Sequence, residues 1–401
     1  MFFSLKNFDF RNKKVVLRVD FNVPIDEKGN LTNNKRIKAA LQTINYLLAK
    51  KAKIILISHL GRPNGKVINN LRMKNAGKEL SRLINKKILV ANDCIGNNVK
   101  KLVNSSKEQI ILLENLRFYK QEESNNINFA KQLASLGDFY VNDAFGVSHR
   151  AHASVDAITR FIPSCAGFLL EKEINVLSKI VKNPKRPFVA IIGGAKVSDK
   201  INVIKNLLKN VDALLIGGAM AFTFYKSTGV KTGKSFVEND KLNLAKALIK
   251  KSDNKIILPT DIVVAKSRDS KNIRTVNYDL IPNNLIGFDI GQETINFYKF
   301  ILKDAKTVFW NGPLGLFEAK QFSRSTFEIA GFLANMKKSL IIIGGGDTVA
   351  AIDKLKIEDK FTHVSTGGGA SLEFLEGKKL PGIRALENNY EKCQELHTKI
   401  R

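Results

Sequence analysis

Arginine is the scarce base of this chain, 15 of its 65 basic residues. Four arginines, Arg36, Arg62, Arg117 and Arg150, follow runs that read as buried strands, and His59 stands among them. A guanidinium fork matches two oxygens of a phosphate or carboxylate at once. Any one of the four is explained as well by a surface salt bridge. Four at equivalent loop positions predict a basic pocket for a small acid bearing phosphate. A second group of residues lies mid-chain in PFVAIIGGAKVSDKINVIKNLL, residues 187 to 208. A helix starting behind Gly193 and Gly194 would aim free N–H groups and the positive end of its dipole into that turn. Lys196 and Lys200, four apart, would share the face beside it. Alone, this unit is more simply a solvated lysine pair on an ordinary helix. A third group, LIIIGGGDTVAAI, repeats strand, glycine turn and helix, with Asp347 and Thr348 at the helix start. Helix capping accounts for both, and Asp347 is also a candidate magnesium ligand.

The elements that must position these groups are apolar runs closed by polar or glycine turns. In the first half, strands are expected within 14–24, 53–63, 109–118 and 138–154, with a helical pattern opening at Arg36. An amphipathic helix follows over 166–187, closed by Pro184 and Pro187. A second array is expected at 188–192, 213–218, 255–265, 307–313, 340–346 and 363–369. Such an alternation predicts parallel α/β sheets, which hold ligands at the carboxyl ends of their strands. GVKTGKS, 229 to 235, is one residue short of a phosphate-binding loop and has no buried strand before it. No GxGxxG turn supports a dinucleotide fold. His149 and His152 lack carboxylate or thiol partners at metal-ligand spacing and read as structural.

With 401 residues the chain is long enough for two domains. An apolar share of 44% and three scattered cysteines fit a globular protein of a reducing cytoplasm. No run has the length to span a membrane, and the N-terminus lacks a signal-peptide pattern. The net charge of +28 invites a nucleic-acid reading. Its lysines are spread along the chain among abundant Asn and Ile, which predicts compositional drift on a tolerant surface and no specific nucleic-acid partner.

The motifs RVDFNVP, SHLGRP, ENLRF, VNDAFG with HRAHAS, GGAKVSDK, FWNGPLGLFE, GGGDT and HVSTGGGASLEFLEGKKLPG, in this order, resemble the phosphoglycerate kinase family nearly end to end. The resemblance implies two Rossmann-like parallel-sheet α/β domains facing across a cleft. These would be an N-terminal domain, 1–165, a connecting helix, 166–185, and a C-terminal domain, 186–384, with the tail 385–401 packing back on the first. It implies that Asp20, Phe21, Asn22, Arg36, His59, Leu60, Gly61, Arg62, Arg117 and Arg150 bind 3-phosphoglycerate or its acyl phosphate. It also implies that Gly194, Lys200, Gly218, Gly287, Asn311, Glu318, Gly345, Gly346, Asp347 and Thr348 bind ADP or ATP, with Mg2+ on Asp347. Arg36, Lys196 and Lys200 would flank the phosphoryl group, and the protein would be a monomer. Three positions depart from the family's pattern: Ala219 replaces a third glycine after Gly217 and Gly218, Tyr119 stands after ENLRF, and Gln292 follows DIG. The alternative class is a basic anion-binding protein without turnover, which intact Lys196, Lys200 and Asp347 argue against.

Overall fold

The structure, a computed structural model, describes residues 1–399, with side chains to Gln394. The chain divides into two compact units, Met1–Asn175 with Lys379–Arg401, and Val176–Lys378. Residues 400 and 401 of the expected tail lie outside the described residues.

The sheet of the first unit holds β1 (Lys14–Arg18), β2 (Lys53–Ile57), β3 (Leu89–Val90), β4 (Ile110–Leu112), β5 (Phe139–Asn142) and β6 (Ser164–Ala166). All are parallel, in the order β3-β4-β2-β1-β5-β6. Val15 to Leu17 and Ile54 to Ile57 are wholly buried, so these strands read as continuous apolar runs without alternation, as expected of a sheet covered on both faces. β1 is flanked by β2 and β5, so the chain turns to opposite sides beyond its carboxyl end, where open α/β sheets bind ligands. The helix Pro381–Lys399 completes this unit. Asn389 accepts from the Ser164 amide at 3.0 Å and donates to the Thr159 carbonyl at 2.7 Å. Tyr390 lies against Phe3, with ring centroids 4.6 Å apart.

In the second unit β7 (Phe188–Ile192), β8 (Ala213–Ile216), β9 (Ile256–Ile257), β13 (Thr307–Asn311), β14 (Leu340–Gly344) and β15 (His363–Val364) form a parallel sheet ordered β15-β14-β13-β7-β8-β9. Its core centres on Trp310, fully buried with Ile191, Leu215 and Ile343, its indole N–H satisfied by the Gly312 carbonyl at 2.8 Å. A separate antiparallel sheet, β11-β10-β12, joins β10 (Asp261–Ala265), β11 (Arg274–Asn277) and β12 (Ile286–Ile290). The helix Phe168–Lys182 runs across the division between units. Asp143 caps its start, accepting from the amides of Leu169 (2.8 Å) and Leu170 (3.2 Å), and burial pushes this carboxyl up to about 6.

Three expectations are corrected. The single strand over 255–265 is two, in different sheets, because Pro259 interrupts the run and Thr260 bonds instead to Thr294 Oγ1. The helix expected directly behind Gly193–Gly194 is Ile201–Leu207, with Lys200 at its N-cap position. Residues 195 to 199 form a loop, so Lys196 and Lys200 do not share a helix face. The amphipathic run 166–187 is helical only over Phe168–Lys182.

Candidate active site

In the first unit the segments following β1, β2 and β4 converge. Asp20, at the end of β1, forms an ion pair with Arg36 from the helix Lys35–Ala39, and its Oδ1 accepts from the Asn22 amide at 3.2 Å. The Phe21 amide donates to Ser58 Oγ (2.9 Å) and Asn22 Oδ1 accepts from the Gly61 amide (2.9 Å), which ties the β1 segment to the β2 segment. Arg117, 5% exposed, donates to the Gly61 carbonyl at 2.8 Å. Asn115 clasps Leu60 from both sides, accepting from its amide (3.2 Å) and donating to its carbonyl (2.7 Å). His59 is buried, with Nδ1 3.1 Å from Arg18 Nη2. Its pKa is held well below the ordinary value, first by burial and then by Arg18, Arg117 and Arg36. The structure thus brings together Asp20, Phe21, Asn22, Arg36, His59, Leu60, Gly61 and Arg117. Arg62 and Arg150 stand exposed at this end of the sheet; Arg150 touches His149 Nε2 at 3.2 Å, and Arg62 makes no ion pair with a described residue.

In the second unit the turns after β7, β8 and β13 pack backbone against backbone. Gly194 donates to the Pro313 carbonyl (3.0 Å), Gly218 to the Leu314 carbonyl (2.8 Å), and the Gly194 carbonyl accepts from Met220 (3.1 Å). Gly218 has φ +68, and a Cβ there would lie 2.5 Å from the Gly194 oxygen. Gly312 has φ +97, and its Cβ would meet the Gly193 oxygen at 2.2 Å. Both positions therefore exclude any side chain. Ala219 instead has φ −65, an ordinary helical value that its methyl tolerates.

Beside these turns Lys200 Nζ donates to Asn311 Oδ1, and Thr348 Oγ1 accepts from the Gly312 amide at 2.6 Å. Burial lowers the Lys200 pKa, opposed by Asp199 and Asp347. Asn311 Nδ2 is buried without an acceptor, against the turn at Gly344 and Gly345. A donor so placed suits an anionic oxygen arriving at that turn. Gly345 is the N-cap of the helix Gly346–Leu355, whose first turn carries Asp347, exposed, and Thr348, buried. Lys196 is exposed in the 195–199 loop. Gly287 lies on β12, packed on Phe222, and Glu318 is exposed beyond β13.

Three groups escaped the sequence reading. Arg18 is fully buried, donating to Ser154 Oγ (2.9 Å) and the Val19 carbonyl, with Glu122 4.0 Å away. A single arginine within the apolar run KVVLRV was a usable signal. Glu114 accepts from Met73 and Asn115 amides at 2.9 and 2.8 Å and pairs with Arg72 at 2.8 Å, so it braces ENLRF. Glu238 holds the 195–199 loop, accepting from the Val197 amide (2.5 Å), the Ser198 amide (3.2 Å) and Ser198 Oγ (2.6 Å).

Two parallel-sheet α/β units, one with a cationic pocket and one with glycine turns beside a half-buried lysine, define a kinase-type protein acting on small phosphorylated molecules. The family model for phosphoglycerate kinase matches residues 5–378, and the chain belongs to the phosphoglycerate kinase family. It is 51% identical over 392 residues to a phosphoglycerate kinase of Gloeothece citriformis, covering 96% of this chain and 98% of that one. It is 50% identical over 390 residues to that of Dictyoglomus turgidum, at the same coverage. The solved phosphoglycerate kinase of Coxiella burnetii superposes with a TM-score of 0.87 at 39% identity, over 97% of this chain and 100% of that one.

Proposed function

We propose that the chain carries out its family's glycolytic reaction by direct in-line transfer of a phosphoryl group between 1,3-bisphosphoglycerate and ADP, giving 3-phosphoglycerate and ATP. The observation that carries this reading is the pairing of the cationic pocket after β1, β2 and β4 with the glycine turns after β7, β8 and β13, both within the matched residues. Arg36, His59, Arg62, Arg117 and Arg150, with Asp20, Phe21, Asn22, Leu60 and Gly61, hold the acid. Gly194, Gly218, Gly287, Asn311, Glu318, Gly345, Gly346, Thr348 and Lys200 hold the nucleotide. Among the described residues no group of three or more His, Cys, Asp or Glu could hold a metal. The exposed carboxylate of Asp347, close enough to Lys200 to influence its pKa, suits an ion that takes one protein oxygen and fills its shell with phosphate and water, as Mg2+ does. Bound there, magnesium neutralises charge on the phosphate oxygens.

The chemistry asks little covalent work of the protein. A loose, metaphosphate-like transition state spreads negative charge over its oxygens, so fixed cations do most of the catalysis. Lys196, Lys200 and Arg36 supply them, and the partial burial that lowers the Lys200 pKa also strengthens its field. The acceptor is a carboxylate, which needs no strong base. The reaction requires the domains 1–165 and 186–384 to close about the connecting segment 166–185, helical over Phe168–Lys182, and we expect a cytoplasmic monomer without specific nucleic-acid affinity. No described helix is long and apolar enough to cross a membrane. A coupled assay with 3-phosphoglycerate, ATP and magnesium tests the activity; no turnover would refute it. Small-angle scattering should show compaction with both ligands bound and little with either alone.

A further inference from the structure

The role of Arg18, which opens the motif RVDFNVP but was not among the residues expected to bind the acid, follows from its donors. Arginine has five N–H donors and no acceptor. Arg18 Nη2 lies 3.1 Å from His59 Nδ1, and Arg18 is itself fully buried, held by Ser154 Oγ and the Val19 carbonyl. Ser154 Oγ donates onward to Glu122 Oε1 at 2.5 Å and its amide to Oε2 at 3.0 Å. Every hydroxyl and guanidinium in this chain has a fixed direction, running from Arg18 to Ser154 to Glu122 on one side and from Arg18 to His59 on the other. Nδ1 of His59 can only accept.

We propose that Arg18 is a positioning residue that locks His59 as the neutral Nε2–H tautomer, so that the imidazole presents a single hydrogen-bond donor to an acidic substrate. A proton on Nδ1 would face a guanidinium N–H across 3.1 Å, so both the other tautomer and the imidazolium are excluded together. Nε2 has no partner among the described residues and is left to face the pocket. The neighbours act in the same direction: Arg36, Arg117 and His152, from three other segments, all disfavour a charge on this ring. His152 is itself kept neutral, its pKa lowered to about 3 by burial and by Arg117 and Arg18. His59 thereby recognises oxygens without adding charge and without titrating across the physiological range.

The role assigned to the donor rests on the proposed acid site, but the tautomer is measurable in the ligand-free full chain. With 15N-labelled histidine, the His59 resonances are identified by their loss in His59→Gln. The expected spectrum has a non-protonated Nδ1 and a protonated Nε2, both unmoved from pH 5.5 to 8. A protonated Nδ1, or movement of both nitrogens toward the imidazolium position in that range, overturns the proposal. In Arg18→Met the two nitrogen shifts should move toward one another as both tautomers become populated. With about half the molecules competent, the KM for 3-phosphoglycerate should rise at least about twofold, with kcat little changed. Nitrogen shifts that stay fixed in a folded Arg18→Met protein would show that Arg18 does not set the tautomer. If Arg18→Met does not fold, the parent spectrum still decides. Absent turnover with the expected spectrum would refute the kinase reading and leave the tautomer standing.

Discussion

Replacing Glu238 by Ala should damage catalysis from a distance. Its carboxylate receives two amide N–H groups and one hydroxyl from Val197 and Ser198, the centre of the loop that carries Lys196 and leads into Lys200. Hydrogen bonds to a charged acceptor contribute about 1.5 to 3 kcal/mol each when shielded from water. Glu238 is half-buried, so water replaces part of each bond, and we take roughly 2 to 4 kcal/mol for the three together. That loosens the loop by a factor on the order of 30 to 10³. Amide exchange at Val197 and Ser198, followed by mass spectrometry, should accelerate by about that factor, while the global melting temperature shifts little. A misplacement of about 1 Å in a group that stabilises the transition state costs up to about 10²-fold in rate. The coupled assay should therefore show kcat lowered by about 10- to 100-fold in Glu238→Ala and by less in Glu238→Gln, which keeps one acceptor oxygen. Unchanged exchange would show that the carboxylate does not hold the loop. Faster exchange with normal kcat would show that the loop does not position the lysines.

Five other substitutions test separate parts of the molecule. Lys200→Ala should lower kcat by about 10²- to 10³-fold, while Arg62→Ala should mainly raise the KM for 3-phosphoglycerate; near-normal turnover in Lys200→Ala would reduce that lysine to a nucleotide contact. Asp289, buried and bonded to Ser325, has its pKa raised to about 7 from 3.8, chiefly by burial. Between those values the folded state binds more protons than the unfolded, so this group's contribution is full below about 4 and falls as pH rises to about 7. Asp289→Asn should then gain melting temperature relative to the parent between pH 5 and 7.5, and a constant difference would refute the shift. Gly218→Ala should abolish ADP binding in calorimetry, because its methyl would strike the Gly194 backbone, whereas Ala219→Gly should change stability by only a few tenths of a kcal/mol. Normal ADP affinity in Gly218→Ala would show that the turns can move apart.

The parallel strands were legible where burial on both faces made the run continuous, as in Val15–Leu17 or Phe188–Ile192. They were not where pairing alone defines the element. β3 has two residues and β6 three, too few to leave a pattern, and β11, largely exposed, carries none. The loop after Gly194 was misread because Val197 is buried at helical spacing from Ile201 yet spends its amide on Glu238. The arginines of the acid pocket announced themselves by scarcity and by their places after strands. Arg18 lay inside a strand, where charge reads as an exception. Glu238 gave no local sign, since its partners are 40 and 41 residues away.

The helix Pro381–Lys399 imposes an order on biosynthesis. Its Asn389 and Tyr390 close the wall of the first unit against Ser164, Thr159 and Phe3, yet they are translated only after every residue of Val176–Lys378. Domains usually fold in the order they emerge. Here the second unit, contiguous in sequence, has all its own residues available first, while the first unit waits with its β5 and β6 side unfinished. A released chain ending at Lys378 should therefore hold a protease-resistant second unit beside a first unit still open to cleavage.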